Sequence, residues 1–198
     1  MTKASQSSAV SSKQPRLHDL YCKQVASKLM ADLKLENSMQ IPRLDKIVVS
    51  MGLGAAVQEP KLVEMSLESL GWICGQKPVV TRARKSIAGF KLRQGMRVGV
   101  VVTLRRGRMW EFFDRFVHIA LPRVRDFRGV NSRFDGSGNC SVGVTEQLVF
   151  PEIPYDRADR STGLNVTFVT TAKDDHAGKL LLRHLGLPFR IKKGDSNG

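Results

Sequence analysis

Between Ser69 and Trp110 the chain contains no Asp and no Glu, yet ten Lys and Arg fall in that interval. The stretch therefore carries +10 of the chain's formal +14. Other shortages narrow the field. Three cysteines, Cys22, Cys74 and Cys140, form no CxxC pair, which argues against a disulfide framework or zinc knuckle and for a reducing compartment. They read as small packing residues. No uninterrupted apolar run approaches the roughly 18 residues of a membrane span. No helix candidate joins a wide apolar face to a Lys-rich one, as a surface-lying anchor would.

Catalytic patterns are also missing. The four histidines, His18, His118, His176 and His184, make no HExxH and no ligand spacing with Cys. His118 falls off the apolar stripe of its helix and reads as solvated or capping. No serine nucleophile elbow occurs, and Gly178-Lys179 lacks the upstream glycine-rich loop of a Walker A. Gly52-x-Gly54 follows a strand pattern, but Val57 takes the place of the third glycine and Pro60 sets the helix start too late to meet a pyrophosphate. Enzymatic activity has little support, and no metal or cofactor is implied.

What remains is a chain of 198 residues, long enough for one sizeable core, with 41% hydrophobic and 25% charged residues. Its sequence pI near 10.2 is not ordinary. Such an excess repels itself in the compact state and accompanies a polyanionic partner, nucleic acid ahead of membrane. Residues 1–15 are Ser-rich, acid-free and without an apolar h-region, and they read as a disordered tail, as do residues 191–198.

The periodicities between the tails mix helix and strand. Leu17, Tyr21, Val25, Leu29 and Leu33 predict an amphipathic helix. Ile47, Val49 and Met51 alternate with Val48, Ser50 and Gly52 as in a strand. Pro60 opens a second helix that ends at Gly75. "PVVTR" and "RVGVVVTLRR" read as strands either side of a basic loop. Met109, Phe112, Phe113, Phe116, Val117, Ala120 and Leu121 define the clearest helix, with Pro122 as its stop. A loop-rich region with short strands around 140–150 follows, then a strand bearing Leu164, Val166 and Phe168. Asp156, Arg157, Asp159 and Arg160 read as a surface ion-pair network. Asp174, Asp175 and His176 suit the start of a last helix that ends at Gly186. Short connections favour an antiparallel or mixed sheet with helices on one side, an α+β fold.

Residues 76–97 hold seven cations together with Phe90, Gly89 and Gly95. Cationic side chains release counterions from phosphates, and an aromatic or guanidinium plane stacks on exposed bases. The bland alternative tucks Phe90 and Ile87 onto the core and leaves the charges solvated. With so many like charges the loop is expected to be mobile without a partner. Thr103, with Asn165, Thr167 and Thr171, offers a polar row on the sheet, although no aromatic RNP pattern accompanies it.

Five blocks carry a resemblance: "GQKPVVTRARKSIAGFKLRQG", "RMWEFFDRF", "PRVRDFRGV", "FDGSGNCSVGVTEQLVFPEI" and "TTAKDD". From about Arg16 to Arg190 the chain resembles the bacterial-type family of large-subunit ribosomal protein five, leaving both tails outside. The resemblance implies a single α+β domain over 16–190, with a curved, mainly antiparallel sheet, helices packed on one face and an extended basic loop. It implies a structural protein of the ribosome, cytoplasmic or organellar, that binds 5S rRNA and large-subunit rRNA in the central protuberance. The implied 5S rRNA positions are Ser50, Gln76 and Thr103, with Ser50 standing where the family usually has Asn. The loop carrying Arg82, Arg84, Lys85, Ser86, Lys91 and Arg93 resembles the one that reaches peptidyl-site tRNA. Arg125, Asp126, Arg128, Asp135 and Asn139 resemble the region facing small-subunit ribosomal protein thirteen. A nucleic-acid-binding module outside the ribosome would share the charge but not these blocks.

Overall fold

The computed structural model describes residues 14–54, 59, 61–153 and 162–190. Most of both tails and the whole Asp156–Arg160 network lie outside the described residues. Five strands form one sheet in the order β2-β3-β1-β5-β4: β1 Leu44–Gly52, β2 Val79–Arg82, β3 Arg97–Leu104, β4 Cys140–Val144 and β5 Leu164–Thr170. Every neighbouring pair is antiparallel. The helices are α1 Arg16–Leu20, α2 Ala26–Asp32, α3 Lys61–Cys74, α4 Arg106–Arg115, α5 Leu121–Arg123 and α6 Asp175–His184.

Strand alternation divides the sheet into two unlike faces. Val102, Val49, Val166 and Val142 form one register row, all buried. Their face receives Phe112, Phe113, Phe116, Leu70, Ile73 and Leu181, each almost fully enclosed. Aromatic rings knit the helices to the sheet: Phe113 meets Phe168 edge-on at 5.3 Å, and Phe116 lies 5.7 Å from it. One residue along, the row Val79–Val101–Ser50–Asn165–Gly143 crosses all five strands on the other face, and none of its members is buried.

The expected helices are present, with two refinements, although Pro60, expected to open the second, lies outside the described residues. The first runs unbroken through a π turn at Tyr21–Val25 between α1 and α2. The long aromatic helix begins at Arg106 and does not stop before Pro122 but continues to Arg123. A π turn at Phe116–Ala120, closed by the Leu121 amide on the Phe116 carbonyl, immediately precedes Pro122. The wider turn relieves the proline ring's conflict with the preceding carbonyls and absorbs the missing amide bond. Gly75 and Gly186, at φ +61° and +95°, end α3 and α6 in the left-handed conformation that favours glycine. No described helix is long and apolar enough to cross a membrane.

Candidate nucleic-acid interface

The open sheet face mixes the valines Val48, Val79 and Val101 with hydroxyl, amide and glycine positions. Thr103 pairs with Val48, Val48 with Thr167, and Thr167 with Ser141, whose hydroxyl lies 2.9 Å from that of Thr167. Ser50 pairs with Val101 on one side and Asn165 on the other, a diagonal neighbour of Thr103. Gln76 stands just before β2, and its Nε2 donates to the Thr103 carbonyl at 3.4 Å. The structure thus places Ser50 and Thr103 diagonally on one face, with Gln76 hydrogen-bonded to the Thr103 backbone. The Gln76 contact is long, so its amide retains acceptor and donor capacity for a further partner. Thr171 departs from the expected polar row. Its hydroxyl accepts from the Arg43 amide at 3.0 Å, so it ties the end of β5 to the start of β1. Ser141 and Gly143 belong to the face, although the sequence does not single them out; their alternation with buried Cys140, Val142 and Val144 is the signal that finds them.

The basic loop between β2 and β3 is a folded arm. Ala83 and Met96 bond at 2.8 Å, Gly95 returns to the Ala83 carbonyl at 2.9 Å, and Ile87 and Leu92 exchange bonds at 2.9 and 3.1 Å. The Ser86 hydroxyl accepts from the Gln94 amide at 3.0 Å, so this member of the expected RNA-contacting set braces the arm itself. A 3-10 turn over Ala88–Phe90 caps the tip. Arg82, Arg84, Lys85, Lys91 and Arg93 line this ribbon and are all exposed, while Ala83, Leu92 and Met96 are half-buried. Among the described residues, the ion pairs Arg16–Asp114, His118–Asp114, Arg115–Glu152 and His184–Asp32 lie outside the arm. Phe90, at the tip, is 73% exposed and Ile87 45%, so neither is tucked onto the core.

At the opposite end of the sheet, residues 135–139 form a tightly braced turn. The Asp135 carboxylate accepts from the Ser137 and Asn139 amides and from the Asn139 side chain, the last at 2.7 Å. These bonds, led by the one from the Asn139 side chain, hold its carboxyl below the ordinary aspartate range. Asp175 accepts from the Gly136 and Gly138 amides, and Asn139 in turn accepts from the Thr170 amide. Asp135 and Asn139 therefore shape this turn, whereas Arg125, Asp126 and Arg128 stand exposed on the preceding loop. Asp174 occupies the cap position of α6 without a side-chain capping bond. His118 is half exposed and paired with Asp114 at 2.8 Å. Burial pushes the Cys74 thiol up to about 12 and the Cys140 thiol to about 11, far from a reactive nucleophile. Cys22 is exposed, so the reading of all three cysteines as packing residues holds for Cys74 and Cys140 alone.

A sheet with one packed and one open face, bearing an arm whose own sequence is acid-free, is the build of a binding protein rather than of a catalyst. Comparison with known families agrees. Residues 37–93 match the family described as Ribosomal protein L5, and residues 97–189 match the model of that ribosomal family's C-terminus. Among curated relatives, the large ribosomal subunit protein uL5 of Anaeromyxobacter sp. (strain K) is 60% identical over 176 residues, covering 88% of this chain and 98% of the relative. Those of Geobacter sulfurreducens and Geotalea daltonii are 56% and 55% identical over the same lengths. The chain belongs to the ribosomal protein L5 (uL5) family, non-enzymatic structural constituents of the large ribosomal subunit.

Proposed function

We propose that this protein anchors 5S rRNA in the central protuberance through the open end of its sheet, and that its arm contacts peptidyl-site tRNA. The observation that carries the proposal is the pairing of an uncovered polar sheet face with a hydrogen-bonded, acid-free cationic ribbon beside it. Gln76, Thr103 and Ser50 offer amide and hydroxyl groups at fixed spacing to sugar and base edges, the kind of contact that reads a folded RNA. Ser50, where relatives of this kind usually carry Asn, supplies one hydroxyl in place of a two-pronged amide. Arg82, Arg84, Lys85, Lys91 and Arg93 supply backbone contacts that position without reading sequence. Large-subunit rRNA is the other RNA neighbour. The exposed loop with Arg125, Asp126 and Arg128, together with the Asp135–Asn139 turn, is proposed to face small-subunit ribosomal protein thirteen.

Two sets of variants test this division of labour. Gln76→Ala and Thr103→Val should weaken 5S rRNA binding while sparing tRNA contact. Arg84→Ala and Lys85→Ala should do the reverse. Wild-type 5S rRNA affinity in the first pair, or equal loss of both RNAs in the second, contradicts the assignment.

A further inference from the structure

The arm's tip poses a problem that charge alone does not answer. Phe90 projects with 73% of its surface in water, and Ile87, 45% exposed, is on the same turn. An exposed ring with an exposed Ile beside it, at the end of a hydrogen-bonded ribbon, is apolar surface that a purely electrostatic contact has no use for. The local chain also holds the conformation in place. The Lys91 amide closes on the Ala88 carbonyl at 3.0 Å, and Lys91 adopts φ +53°, a conformation uncommon for a residue other than glycine. The Ile87–Leu92 exchange fixes the base of the turn. The ring therefore sits at the tip of a hydrogen-bonded ribbon, flanked by Lys91 and with Lys85 and Arg93 on the two legs.

We propose that Phe90 is a stacking site for an unstacked nucleobase or the exposed end of a base pair in the RNA that the arm meets. The flanking cations hold the adjoining phosphates. This rests on the proposal that the arm contacts tRNA, and it adds to it a contact that salt does not screen. Stacking of this kind is sequence-tolerant, because every base has a flat face, so the arm recognises shape rather than sequence.

Ribosomes carrying the variant protein in place of wild type, loaded with deacylated tRNA in the peptidyl site, give the test, with tRNA dissociation rate read across a salt series. Phe90→Ala should accelerate dissociation roughly 5- to 140-fold, by a similar factor at every salt concentration. Phe90→Trp should restore the wild-type rate, and Phe90→Leu, which keeps apolar bulk but no ring face, should not. Arg84→Ala should instead lose its effect as salt rises. If Arg84→Ala and Lys85→Ala matter but Phe90→Ala does not, or if Phe90→Leu behaves as wild type, stacking is overturned while the arm contact stands. If none of the arm variants changes the rate, the arm's contact with tRNA falls, and stacking with it.

Discussion

Gly178 is in the first turns of α6, where helix propensity alone says that alanine is the better residue by about 1 kcal/mol. The structure reverses that sign. A Cβ at this position stands 2.5 Å from the Gly138 carbonyl oxygen, 2.9 Å from its Cα and 3.1 Å from its carbonyl carbon. All three are backbone atoms of the braced 135–139 turn, so no side chain can swing away. Admitting the methyl requires the turn to lift off α6, which strains the two Asp175 bonds to Gly136 and Gly138 and the Thr170 hydroxyl bond to the Gly138 carbonyl at 2.8 Å. Overpacking against backbone costs about 3 kcal/mol at the upper end. Setting the helix gain against it leaves a loss of about 2 kcal/mol, or about 4–8 °C in Tm for a chain of this size. Gly71, inside α3, is the control: a Cβ there meets only the Pro78 ring, at an ordinary 3.8 Å. Gly71→Ala should therefore gain roughly 0.5–1 kcal/mol. Thermal unfolding followed by circular dichroism reads both. If Gly178→Ala matches or exceeds the wild-type Tm, the close approach of α6 and the turn is not as described.

Two further outcomes follow from the site chemistry. At pH 8.5 a thiol reagent should modify Cys22 quickly in the folded protein, and Cys74 and Cys140, with thiols at about 12 and 11, only on unfolding; three fast thiols contradict their burial. Asp135 has a depressed carboxyl, so its bonds stabilise the turn above the ordinary aspartate range and are lost as pH falls through the lower, folded value. The Ser137 and Asn139 amide resonances should accordingly hold steady on acidification to about pH 4 and move only below it; movement centred above that overturns the bracing.

Much of the fold is legible in the sequence because burial is periodic. Met109, Phe112, Phe113, Phe116, Val117, Ala120 and Leu121 are all buried as their stripe predicts, and Ile47, Val49 and Met51 all face the core. The alternation in β1 also places Ser50 on the opposite face. The basic arm is legible from charge alone. What sequence does not yield are relations across long separations. Nothing local shows that Gln76 reaches Thr103, that Asp175 holds a turn 37 residues earlier, or that Thr171 is taken up by Arg43. Asp175 has the sequence position of a helix-dipole residue, and it does occupy that place, yet its carboxylate oxygens are engaged by Gly136 and Gly138. Pro122 reads as a helix stop because the π turn that accommodates it leaves no mark in the hydrophobic stripe. The fate of Phe90 depends on whether the arm folds back, which composition leaves open and the backbone ladder of residues 83–96 decides.

The central claim is that the sheet face recognises a particular RNA while the arm supplies charge. Its most direct test is binding of the purified protein to 5S rRNA against a length-matched unrelated RNA, titrated across a salt series. Both affinities should fall with salt, since phosphate contacts contribute to each. A preference for 5S rRNA should survive at physiological salt and be lost in the Gln76→Ala and Thr103→Val proteins. Equal affinities that collapse together would leave a basic surface without a reading face, and would contradict the account.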